Sequence, residues 1–208
     1  MRTTLVLVRH AESVANRMGF LGGHRSCRGL TDAGRCQAAA LRDRLAGSGM
    51  PVDGLLTSLL ARAIETARII APAVSDGTVT QEARCELCDV HWGELDGKPA
   101  GDLVVSDDPY LPVAPGGESW LAYERRCRQA LRRLASDFAG RTAVVVTHGG
   151  LIKSSLSVFG TTSGSDAAES DVSYTGMTTW ISDSPGKWDL AGYDDHAHLL
   201  ESSVADVG

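Results

Sequence analysis

The chain has 208 residues, 43% hydrophobic and 22% charged, enough apolar material for a packed core; with no fixed-period repeat it reads as one unit over residues 1–208. Twenty Lys and Arg against 26 Asp and Glu leave a net charge of −6, which excludes a global basic field for nucleic acid or an anionic membrane surface. Any anion bound is therefore held by a local cluster.

Thr3 to Val8, TTLVLV, is β-branched and apolar without polar alternation, the mark of a strand covered on both faces. Its apolar part, Leu5 to Val8, is too short for a secretory or membrane-spanning segment. Arg9 and His10 follow at once. Thr31 is placed to cap a helix on which Ala38, Leu41 and Leu45 share a face, with Gly47 and Gly49 ending it. Val52 to Thr57 is a second strand, and Leu59 to Ala71 a helix that Pro72 is expected to stop. Residues 97–117 hold four of the seven prolines and read as a loop, with an insertion at 98–117.

The longest helix is expected from Ser119 to Phe138, its apolar stripe formed by Cys127, Ala130, Leu131, Leu134 and Phe138. Arg125, Arg126, Arg128, Arg132 and Arg133 read as its solvated face. Thr142 to Thr147, TAVVVT, is a second doubly covered strand, followed by His148, Gly149 and Gly150. An acidic loop is expected at 161–173, most charged around Asp166 to Asp171. Met177 to Ile181 and Trp188 to Tyr193 read as strands joined by the turn residues Asp183, Ser184, Pro185 and Gly186. Strands alternating with helices imply a three-layer α/β sandwich on a mostly parallel sheet.

Both histidines that follow doubly covered strands fall where open α/β sheets place ligands, outside the carboxyl ends of the strands. A guanidinium presents a fork of donors matched to phosphate oxygens, and a neutral imidazole is a nitrogen nucleophile at pH 7. Arg9 with His10 thus suggests phosphoryl transfer through a histidine, against the bland alternative of a surface dipeptide.

Other signals weigh less. Cys85 and Cys88 form a CxxC without a second ligand pair at zinc spacing, so a buried or incidental pair is the simpler reading. His196 and His198 beside Asp194 and Asp195 can be drawn as a metal cluster, but a structural role is preferred. GELDGK at 93–98 is one residue short of a phosphate-binding Walker loop, and neither a GxSxG elbow nor a GxGxxG turn occurs. The odd number of cysteines, five, fits a reducing cytoplasm.

LVLVRHAESVAN at 5–16 resembles the signature of the histidine phosphatase superfamily, also called phosphoglycerate-mutase-like. The likeness continues through TSLLARAIETA at 57–67, CDVHWGELDG at 88–97, GGES at 116–119, THGG at 147–150 and GYDDHAHL at 192–199. The resemblance implies that His10 is the nucleophile, forming a phosphohistidine, with Arg9, Arg62 and His148 around the phosphate. It adds Asn16, Gly22 and Gly23 as further donors, and implies no metal and no cofactor. Cys27 departs from the pattern where relatives often carry an acidic residue. So does Asp89, which stands where most of this subgroup has Glu; it is the expected general acid, with Glu86 as the alternative donor and loop capping as the alternative role.

The implied activity is that of a phosphomonoesterase on a small phosphorylated metabolite, with a bell-shaped pH profile. Mutase-type transfer and a non-catalytic phosphate-binding module stay open. The segment 98–115 holds one base, Lys98, against Asp102, Asp107 and Asp108, which favours the phosphatase. Tyr110, Leu111, Pro112 and Val113 are candidates for the pocket mouth or for simple loop packing. No nucleic-acid or membrane partner is expected, and a homodimer is left open.

Overall fold

Strand β1 (Thr3–Arg9) carries no polar alternation because neither of its faces meets water. In the computed structural model, which describes residues 1–74, 81–160, 171–184 and 186–202, Leu5 and Leu7 enter one apolar core while Val6 and Val8 enter another. The parallel strand Thr142–Thr147 repeats the division, with Ala143 and Val145 on one side and Val144 and Val146 on the other. Burying a Val or Leu side chain stabilises by about 1.5–3 kcal/mol, so these two strands dominate the cohesion of the centre.

The remaining strands are β2 (Gly54–Thr57), β3 (Gln81–Ala83), β5 (Met177–Ser184) and β6 (Lys187–Asp195), the strand Thr142–Thr147 being β4. All six join one sheet in the order β3-β2-β4-β1-β5-β6. β3, β2, β4 and β1 are mutually parallel, while β5 runs antiparallel to β1 and pairs with β6 as a hairpin. Helices α2 (Asp32–Ser48) and α3 (Ala61–Val74) cover one face, α2 also meeting α6 (Ala197–Ser202). α4 (Trp120–Asp137) and α5 (Gly149–Phe159) cover the other. The three-layer α/β sandwich is therefore present.

Capping chemistry placed the helices as expected. Thr31 Oγ1 accepts from the Gly34 N–H at 2.9 Å, Ser119 Oγ accepts from Ala122 at 3.2 Å, and Gly49 closes α2 in the left-handed region. Two expectations are corrected. Pro72 does not stop α3, which runs to Val74; Ile70 and Val74 on either side of it are both buried in the core, and that burial holds the last turn despite the missing N–H. Arg126 does not belong to a solvated face: its guanidinium is turned onto the loop 86–89, as described below.

Three short elements carry no periodic signal and were not expected: α1 (Val14–Met18), β3 and α6. The acidic loop expected at 161–173 lies outside the described residues up to position 170, as does Pro185. Among the described residues no helix is long and apolar enough to cross a membrane.

Candidate active site

Adjacent parallel strands in register end at one level. Arg9 of β1 pairs with Thr147 of β4, and Thr57 of β2 with Val146, so the next residues His10, His148 and Ser58 emerge side by side at the carboxyl edge. The ladder continues one residue further: the His10 N–H donates to the Thr147 carbonyl at 3.0 Å and the Ser58 N–H to the Val146 carbonyl at 3.1 Å. The two imidazole centroids lie 5.1 Å apart.

Between them sits Arg62, in the first turn of α3 and only 3% exposed. Its Nε donates to His10 Nε2 at 3.0 Å. Its Nη2 lies 3.0 Å from Asp89 Oδ2 and 3.3 Å from His148 Nδ1, while Nη1 donates to the Gly22 carbonyl at 2.5 Å. A guanidinium has no acceptor atom, so both imidazole nitrogens facing it are unprotonated. The proton of His10 is then on Nδ1, which donates to the Ala11 carbonyl at 2.7 Å, and that of His148 is on Nε2, 2.8 Å from Ser58 Oγ.

The electrostatics agree with these tautomers. Burial, then the charge of Arg62, holds both His10 and His148 well below the usual histidine range. Both rings are neutral, with Nε2 of His10 and Nδ1 of His148 presenting lone pairs toward the same cation. A phosphate dianion arriving there meets Arg62 directly, and its charge favours protonation of His148.

Asp89 therefore belongs to the cluster. Besides Arg62, its Oδ1 lies 3.5 Å from the Tyr123 hydroxyl and its Oδ2 3.8 Å from His148 Nδ1. Glu86 faces elsewhere, toward Arg84 and Arg133. Arg9 stands beside the site: its guanidinium lies 4.4 Å over the Tyr174 ring and donates to the Val172 carbonyl, and its charge contributes to lowering both histidines. Gly22 takes part through its carbonyl. Gly23 instead donates its N–H to Asp96 Oδ1 at 2.9 Å, and exposed Asn16 accepts from Ser13 Oγ at 2.6 Å. Tyr110 and Leu111 are 72% and 53% exposed, and Val113 packs against the core.

Several supporting residues take roles that the sequence does not assign. Ser58 orients His148. Arg126 donates to the carbonyls of Glu86, Cys88 and Asp89 at 2.9–3.1 Å while gripping Glu118 through two nitrogens, which fixes the backbone that presents Asp89. Tyr123 lies on the buried face of α4, close against Gly150: a Cβ at Gly150 would stand 2.3 Å from its hydroxyl oxygen. Gly150→Ala is accordingly expected to lower stability by about 1–3 kcal/mol, read as a fall in Tm. An unchanged Tm would show that Tyr123 yields freely.

Residues 5–196 match the family described as the histidine phosphatase superfamily (branch 1). Phosphoglycerate mutase-like protein 4 of Arabidopsis thaliana is 29% identical, covering 98% of this chain and 90% of its own. A metal-independent phosphoserine phosphatase of the same plant is 32% identical over 73% of this chain and 66% of its own. In fold, the crystal structure of phosphoglycerate mutase from Bacillus anthracis str. Sterne superimposes with a TM-score of 0.78 at 18% identity, covering 97% of each chain.

Proposed function

The chain belongs to the histidine phosphatase superfamily, branch 1, and from that premise we propose that it is a phosphomonoesterase acting on a small phosphorylated metabolite without a metal. One observation carries the reading: the Arg62 guanidinium meets His10 Nε2, His148 Nδ1 and Asp89 Oδ2 at once. A cation so placed can exchange these contacts for equatorial phosphoryl oxygens and hold the phosphorus in front of His10.

The reaction proceeds in two displacements. Nε2 of His10 attacks phosphorus, the P–O bond to the leaving group breaks, and Asp89 gives its proton to the departing alkoxide. Nδ1–H, bonded to the Ala11 carbonyl, supports the positive charge that the ring gains. Water then attacks the phosphohistidine, Asp89 takes the proton, and the N–P electron pair returns to Nε2. Arg62, Arg9 and a protonated His148 offset the charge on the transferring group in both steps.

Hydrolysis is favoured over transfer back to substrate because residues 98–115 supply one base, Lys98, against three aspartates, too little to retain an anionic intermediate. The position of Asp89 inside the cluster favours catalysis over simple phosphate binding. All five cysteines are free thiols, which supports a reducing, cytoplasmic setting. A phosphate-release screen across phosphorylated metabolites, with His10→Ala as control, tests the reading; release of phosphate by the wild type alone is expected, and no release from any ester would overturn it.

The pH dependence follows from the buried rings. A histidine held well below its reference value of about 6.5 remains neutral, and so nucleophilic, into acid. The acid limb of kcat/KM, corrected for the substrate's own second ionisation near about 6, should therefore fall below about pH 6.5. A limb at or above that value would contradict a desolvated His10.

A further inference from the structure

Outside the phosphate hollow, the structure gathers three side chains that are remote in sequence. Cys85, His91 and His24 offer a thiol sulfur and two imidazole nitrogens that all lie within 4.8 Å of one another. The Cys85 Sγ to His91 Nε2 distance is 3.7 Å, and the His24 and His91 rings meet edge to face with centroids 5.1 Å apart. Cys88, the other half of the CxxC, is buried, accepts from the Leu59 N–H and contacts the Cys85 thiol, which leaves Cys85 as the exposed sulfur of the pair.

We propose that His24, Cys85 and His91 form a binding site for Zn²⁺ that ties the loop following Gly22 and Gly23 to the loop carrying Asp89. Tetrahedral zinc with Zn–N near 2.0–2.1 Å and Zn–S near 2.3 Å sets ligand atoms roughly 3.3–3.7 Å apart. The Cys85–His91 pair already has that spacing, and the third ligand needs to close by up to about 1.5 Å, which rotation of an exposed side chain supplies. A thiolate with two imidazoles selects a borderline-soft cation over Mg²⁺ or Ca²⁺. On binding, the Cys85 thiol gives its proton to solvent and the sulfur donates its electron pair to the metal.

The backbone beneath the ligands is held in place. Asp96 accepts from the N–H groups of Gly23 and Arg25, the two neighbours of His24, each at 2.9 Å. Glu118 brackets His91, accepting from its N–H at 3.2 Å and donating its own N–H to its carbonyl at 2.8 Å. The Cys85 carbonyl accepts from Cys88 in a tight turn. Side chains able to rotate on such a frame need little reorganisation to close on an ion. His24 and His91 also line a cavity of about 500 Å³ with Trp92 and Glu94 that opens to solvent.

The test is calorimetric titration of the full chain with Zn²⁺ near pH 7.5 in a non-chelating reductant. A single tight site is expected. His24→Ala, Cys85→Ser and His91→Ala should each weaken it by at least about 100-fold. His24 lies on an exposed loop, so its variant leaves folding untouched. His10→Ala and Cys36→Ser, which alter an imidazole of the phosphate hollow and an unrelated exposed thiol, should bind within about twofold of the wild type. Co²⁺ in place of zinc should give a thiolate charge-transfer band that Cys85→Ser abolishes. Absence of tight binding, binding indifferent to the Cys85 and His24 changes, or binding lost with His10→Ala would each overturn the assignment. None of these outcomes bears on phosphate release, so this site and the phosphatase reading fail separately.

Discussion

His10→Ala should reduce turnover of every phosphomonoester by at least about 10⁴-fold, because it removes the atom that bonds to phosphorus and leaves only the electrostatic part of the site. Arg62 and His148 survive in that variant, and Arg62 loses its bond to Nε2, so inorganic phosphate should bind about as well as before or better. The pair of results separates the nucleophile from the binding groups. Loss of activity together with loss of phosphate binding would instead point to collapse of the site. The ring is buried between Arg62 and His148, and its replacement leaves a cavity that costs stability; circular dichroism and Tm establish that the sheet persists.

Asp89→Asn is the second large effect, and its size should depend on the leaving group. The amide oxygen still accepts from Arg62 Nη2, so the geometry around the guanidinium is kept while proton transfer is lost. An alkyl phosphate needs its alkoxide protonated, and its hydrolysis should fall by about 10²–10⁴-fold. An aryl phosphate leaves without that help. With it the first displacement should stay fast, giving a burst of phenol, while the second step slows for want of a base and phosphoenzyme accumulates. Equal activity of Asn and Asp on alkyl esters would remove Asp89 from the chemistry. Glu86, paired with Arg84 and Arg133, is not placed to take over.

Much of this arrangement is legible in the chain because it is local. The unbroken apolar runs of β1 and β4 declare strands buried on two sides, and a histidine directly after such a strand has nowhere to go but the carboxyl edge of the sheet. Caps at Thr31 and Ser119 fix where the long helices begin. Arg62 and Asp89 do not follow from periodicity; resemblance to known motifs singles them out, and the geometry brings both to His10 and His148.

What stayed hidden is non-local. Arg126 shares a helix with four arginines of the same composition, and only the return of the loop 86–89 over α4 turns it inward. Tyr123 and Ser58 acquire their roles from partners 34 and 90 positions away. His24 stands 67 residues from His91, so no spacing rule joins them. Pro72 is the converse case, a strong local signal overruled by burial of Val74.

The proposed catalysis rests on covalent transfer of phosphorus to one nitrogen. Mixing the protein with a labelled aryl phosphate, quenching in alkali within a turnover and mapping the label by mass spectrometry tests it most directly, since a phosphoramidate survives base and is lost in acid. The label is expected on Nε2 of His10, in higher yield for Asp89→Asn than for the wild type. Label on another residue, or hydrolysis with no labelled protein in either form, would contradict it.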